Sequence, residues 1–251
     1  MALAIVAAAV GGLLIGSFLN VLVSRVPKRE SPFGGRSHCP ECGATIRARD
    51  NIPLLSWLLL RGKCRDCGAP ISKRYPLVEA GTAVLYAVTV AVHYDDTTLL
   101  VLGLALVTFL IPIAAIDLEL QLIPNRLTLP AAIVAVVLGL ALDLDGEVER
   151  LIAGAGAALF LGLPALINPK GMGMGDAKLA GVMGLYLGAP VAPALLIGLA
   201  TGVLVGVGVV MNVGMSAGRR TRIPFGPFLA FGGVVAMLVG QDIIDWYLDT
   251  F

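Results

Sequence analysis

The chain has 251 residues, 57% of them hydrophobic and 14% charged, with a formal net charge of +1. A soluble domain carries about 25% charged residues, so this composition excludes a soluble enzyme, a disordered chain and a secreted disulfide scaffold. With so little net charge nothing steers the whole molecule toward nucleic acid, and none is expected as a partner.

The apolar residues fall in runs that approach the roughly 20 residues a helix needs to cross a bilayer. They predict an all-α polytopic membrane protein with about eight transmembrane helices. The first run, Ala2 to Val23, has no basic residue before it and therefore lacks the charged start of a signal peptide. It reads as a retained span. Further runs cover Leu77–Tyr94, Leu99–Ile116, Leu127–Leu142, Leu151–Ile167, Leu179–Gly188, Ala192–Met211 and Phe228–Gly240. The sixth is the shortest. Its core would rise only about 15 Å as helix, and Pro190 and Pro193 interrupt the pattern behind it. It reads as a short, broken or re-entrant element packed against its neighbours.

Charge orders these spans. With the N-terminus outside, the inner segments 24–76, 117–126, 168–178 and 212–227 hold 17 of the 18 Lys and Arg residues, and only Arg150 falls elsewhere. The outer segments carry Asp95, Asp96, Asp143, Asp145, Glu147, Glu149, Asp242, Asp245 and Asp249, which read as solvated loop ends. This positive-inside partition predicts a multi-pass protein of a cytoplasmic membrane with segment 24–76 in the cytoplasm. Three parts follow: residues 1–23 as the first span, 24–76 as a cytoplasmic domain and 77–251 as a seven-helix membrane domain.

All four cysteines lie in the cytoplasmic segment, as Cys39-Pro-Glu-Cys42 and Cys64-Arg-Asp-Cys67, with 21 residues between the pairs. Two such knuckles can place four thiolates around one zinc ion. Gly43 and Gly68 each follow the second cysteine of a pair, where a knuckle must bend sharply. A reducing compartment favours metal over disulfides. Four sulfur ligands leave no open position for water, so this zinc is structural and would supply much of the segment's folding free energy. His38 is surplus to such a site and reads as a loop residue. The segment's basic residues are compatible with anionic lipid headgroups, although topology alone explains most of them.

The carboxylates at the inner ends of the spans carry more information. Asp117 closes the third run, and Asp176 opens the sixth within Gly171-Met-Gly173-Met-Gly175-Asp176-Ala-Lys178. An ionisable residue at such a place is a functional candidate by default. Asp117 sits at a helix C-terminal end, where the dipole disfavours a carboxylate. Asp176 could instead cap its own helix or pair with Lys178. Taken together, two carboxylates sharing a site can divide one proton between them. The charged one can take a proton from an attacking water, and the protonated one can polarise a peptide carbonyl and protonate the leaving amine. A phosphate cradle is excluded, since neither glycine-rich phosphate pattern is present.

These residues resemble the type IV prepilin peptidases, membrane aspartyl proteases of bacteria. The resemblance rests on Gly16-Ser17-Phe18-Leu19-Asn20-Val21 with Arg25 and Pro27, both Cys-x-x-Cys pairs, and Arg74-Tyr75-Pro76-Leu77-Val78-Glu79. It continues through Ile116-Asp117, Ile123-Pro124, Leu127-Thr128, Gly173-x-Gly175-Asp176-x-Lys178-Leu179 and Pro224-Phe225-Gly226-Pro227-Phe228. Asn125 stands where the family often has Asp, a change that leaves Asp117 intact. The resemblance implies catalytic Asp117 and Asp176 facing each other at the cytoplasmic boundary, in a peptidase domain spanning 77–251. It implies removal of a short basic leader from type IV prepilin or pseudopilin precursors, after a glycine that precedes an apolar helix. Members with the four-cysteine segment then often methylate the new N-terminus with S-adenosylmethionine.

Two other classes use the same features. A proton- or ion-coupled transporter would favour acids near mid-bilayer and inverted repeats with interrupted helices, whereas these acids lie at one face. A zinc-ribbon adaptor that only docks partners would leave Asp117 and the glycine-rich Asp176 segment without a purpose.

Overall fold

The computed structural model describes residues 1–167, 173–214 and 223–250. Lys170, Gly171, Met172, Arg219, Arg220 and Arg222 of the sequence reading lie outside them. Among the described residues the named elements are helical, and the only strand-like pairings are two isolated antiparallel bridges. The chain forms two compact units, Met1–Tyr94 and Asp95–Phe251.

The first unit is built on α1 (Ala2–Arg25) and α3 (Arg74–Val92), with the cysteine segment and a short α2 (Leu55–Leu59) between them. Small residues let α1 and α3 approach closely. A Cβ added at Gly12 would lie 2.7 Å from Ala83 Cα, and one added at Gly16 would lie 2.8 Å from Glu79 Cα. One turn further on, Asn20 is buried and its Nδ2 donates to the Tyr75 carbonyl at 3.1 Å. Positions 12, 16 and 20 thus meet 83, 79 and 75 in turn, so the two helices run antiparallel.

The second unit comprises α4 (Thr97–Leu120), α5 (Asn125–Leu142), α6 (Leu144–Ile167), α7 (Met174–Leu187), α8 (Val191–Val213) and α9 (Gly226–Thr250). Its core joins Leu106, Leu110, Ile113 and Ile116 of α4 to Leu179 and Met183 of α7 and Leu229 of α9, all fully buried. The apolar surface outside that core, such as Leu129, Ile133 and Val137 of α5, is what a membrane helix presents to lipid.

Each of the eight expected runs falls on a helix, two of them overrunning it, to Tyr94 past Val92 and to Gly188 past Leu187. Among the described residues seven helices are long and apolar enough to cross a membrane. The eighth, α7, is a single unbroken helix of 14 residues, about 21 Å long and shorter than the roughly 30 Å hydrocarbon core. It is also packed on most sides, which is how a short element persists there. A Cβ at Gly184 would sit 2.6 Å from Gly154 Cα of α6, and the Tyr186 hydroxyl donates to the Ala131 carbonyl of α5 at 2.9 Å.

One expectation needs correcting. Glu147 is not a solvated loop end but is 2% exposed. Its Oε2 accepts from Arg150 Nε at 3.0 Å, and Arg150 Nη1 reaches Asp143 Oδ2 at 2.8 Å. A charge taken from water must be paired, and this pairing accounts for the one basic residue outside the inner segments. By contrast Asp96 behaves as a loop end, its Oδ1 capping α4 through the Leu99 amide at 2.9 Å.

Candidate active site

Asp117 lies three residues before the end of α4 and is 5% exposed. Its own helix end offers carbonyls, the wrong polarity for a carboxylate. The compensation comes from another helix. The backbone N–H of Gly226, the first residue of α9, donates to Asp117 Oδ2 at 2.8 Å. Helix starts carry amides without intrahelical partners, and here one of them is spent on a buried anion. A Cβ at Gly226 would itself fall 2.8 Å from Asp117 Oδ2, so the approach requires glycine.

Asp176 stands in the first turn of α7, half-buried. Its Oδ2 accepts from the Gly173 amide at 3.2 Å, a local cap. Lys178 does not pair with it, because Lys178 Nζ donates to Asn125 Oδ1 at 2.9 Å at the start of α5. Gly175 brings this turn close to the end of α4, since a Cβ there would be 3.0 Å from Ile123 Cβ. The result sets the turn that carries Asp176 against the chain six residues beyond Asp117. Two such carboxylates, one buried and one partly open, can hold one proton between them and act as base and acid in turn. Glu119, two residues beyond Asp117, is on the exposed side of α4.

The cysteines converge in the first unit. The four Sγ atoms of Cys39, Cys42, Cys64 and Cys67 lie within 4.8 Å of one another and could hold a metal ion. The two knuckles are built alike. Cys39 N donates to Ala44 O at 2.9 Å and Cys64 N to Ala69 O at 2.8 Å, while Gly43 N and Gly68 N donate back to the first cysteine's carbonyl. Gly43 (φ +69) and Gly68 (φ +75) occupy the left-handed region that the bend needs. His38 is bridged to Thr45 and stays outside the cluster. Asp50 and Arg65 tie the segment together, with Arg65 Nη2 2.6 Å from Asp50 Oδ1.

A model of the bacterial peptidase A24 N-terminal domain matches residues 10–94, and one of the type IV leader peptidase family matches residues 104–210. A prepilin leader peptidase/N-methyltransferase of Aeromonas hydrophila is 38% identical to the chain, covering 95% of it and 92% of that protein. The chain belongs to the type IV leader peptidase family. Proteins of the same name from Legionella pneumophila (38% identical, 94% of the chain, 91% of that protein) and Pseudomonas aeruginosa (37%, 94% and 91%) agree with this. No solved structure matches the chain.

The sequence reading of this leader peptidase family member named both acids and all four cysteines. It did not reveal Gly226 as the amide donor to Asp117, nor Asn125 as the partner of Lys178. Gly226 did stand in a quoted motif, Pro224 to Phe228, which was the available signal. Gly202 and Gly206 of α8 have different surroundings. A Cβ at Gly202 would meet the Phe225 ring at 3.0 Å, while Gly206 has nothing within 4 Å.

Proposed function

We propose that Asp117 and Asp176 are the catalytic pair of a membrane endopeptidase that removes the leader of type IV prepilin or pseudopilin precursors. The observation that supports this is the buried Asp117 held by the Gly226 amide, with the Asp176 turn packed through Gly175 on Ile123 just past the end of α4. An ionised carboxylate takes a proton from water as the water attacks the scissile carbonyl. The protonated partner gives its proton to the carbonyl oxygen; as the C–N bond breaks, the acid that took the water proton passes it to the departing amine, and the partner recovers its own from the hydroxyl of the intermediate. Family membership and the names of the relatives support this chemistry over ion transport, and they extend it to methyl transfer onto the new N-terminal amine. S-adenosylmethionine is the methyl donor that the family resemblance implies, consumed as a substrate.

The metal at the cysteine cluster is zinc on this reading. Zn–S bonds of about 2.3 Å in a tetrahedron require sulfurs about 3.8 Å apart, and Cys39 and Cys67 Sγ are separated by 3.8 Å. With four sulfurs bound, the ion serves the fold. The distribution of Lys and Arg supports a cytoplasmic side for this segment.

The test is cleavage of a synthetic leader-bearing pilin peptide by membranes, followed by mass. Wild type should release the leader and then add one methyl group. Asp117→Asn and Asp176→Asn should each abolish cleavage while the protein still accumulates, and Glu119→Gln should cut at close to the normal rate. Processing that persists in either Asn variant would remove that residue from the pair.

A further inference from the structure

We infer that α2 is an interfacial anchor: its leucine face seats in the anionic headgroup boundary of the bilayer that the long helices cross. The helix is turned inside out. Leu55, Leu58 and Leu59 are 49%, 63% and 71% exposed, whereas Ser56, about 100° around the helix from Leu55, is buried. The Ser56 hydroxyl donates inward to the Arg49 carbonyl at 3.0 Å and accepts from the Ile52 amide at 2.9 Å. A helix in water shows the reverse pattern, with apolar residues in and polar residues out. Surroundings that suit an outward leucine triad are apolar.

The depth of α2 is set by a hydrogen bond. The Leu54 amide donates to Glu79 Oε2 at 2.8 Å. Glu79 is buried on α3, two residues inside the apolar run that begins at Leu77. The start of α2 is therefore held level with the first turns of a membrane helix, not out in solution. Leu54 accepts φ +57 to make that connection, a conformation uncommon outside glycine. The flanks complete the match. Arg49, Arg61 and Lys63 are exposed on either side of the leucines, as in elements that lie on anionic lipid with basic residues at the headgroups.

Trp57 points away from the leucine face, its ring against Gly62 and its Nε1 donating to the Ile71 carbonyl at 3.3 Å, so the reporter is placed on the face itself as Leu59→Trp. The chain has two tryptophans of its own, and Trp57→Phe with Trp246→Phe leaves the reporter alone. The full chain is reconstituted in nanodiscs of phosphatidylglycerol and phosphatidylcholine whose acyl chains carry bromine near the headgroup. The reporter's emission should be quenched by the bromine. Adding Leu55→Gln with Leu58→Gln should lose about half or more of that quenching, with bound metal unchanged as the sign of an intact segment. If that variant loses its metal, the reporter chain alone decides. Free access of acrylamide to the reporter without bromine quenching would show the face in water and overturn the inference. Protection from both quenchers would assign the face to another protein and overturn it equally. The readout is fluorescence, so it stands whether or not the two aspartates prove catalytic.

Discussion

A single backbone amide decides how Asp117 is held. Gly226→Ala would force a methyl group against the carboxylate and lengthen the 2.8 Å bond. Leader cleavage should fall by on the order of 10²-fold, the usual effect of displacing a reacting group by about 1 Å, with near-normal accumulation of protein. Gly206→Ala, with nothing within 4 Å, is the matched control and should cleave normally. Cleavage by the wild type should follow a bell-shaped pH profile whose two apparent constants belong to the pair and not to either acid. A second carboxylate gives a stability prediction with a definite sign. The Arg65 hydrogen bonds hold Asp50 below the ordinary carboxylate range. Its contribution is thus complete above the unfolded value near 3.9 and is lost as pH falls through the lower folded value. Asp50→Asn should make segment 24–76 more protease-sensitive at neutral pH, and that difference from wild type should vanish at the acid end.

The two knuckles act together, so losing either should release the metal. Cys42→Ser with Cys67→Ser should reduce bound zinc from about one per chain to near zero by metal analysis. Methyl transfer should fail first and cleavage later, because Asp117 and Asp176 lie on membrane helices of the second unit. Chelators should leave cleavage largely intact over short times for the same reason. Rapid inhibition reversed by zinc, with the segment still folded, would point to a metallopeptidase instead. The long helices could be read from the chain because each is a sustained apolar run, and the knuckles because cysteine spacing and glycine position are local. Other features are not local. Helix α2 has five residues and an inverted pattern, too short for a period to show. The bond from Gly226 to Asp117 joins positions 109 apart. Burial of Glu147 depends on Arg150 and Asp143 folding around it, which composition does not disclose.

Orientation and stability of the molecule meet at Arg150. Arg150→Met would leave the Glu147 carboxylate buried without its partner, a loss of about 3–5 kcal/mol for a broken buried pair. Unfolding in detergent should register this, and reporter fusions should show the same topology as wild type, because the basic residues of the inner segments are untouched. The bond between Asp117 and Gly226 also has a temporal meaning. Translation at roughly 5–20 residues per second separates their synthesis by roughly 5–20 s, since 109 positions lie between them. Once Asp176 has been made, with 50 of those 109 positions still to come, the nascent chain carries both acids, yet the amide that holds Asp117 has not been made. Assembly of the site is therefore completed only when α9 has left the ribosome, and chains that stop before it are released with their acids unset.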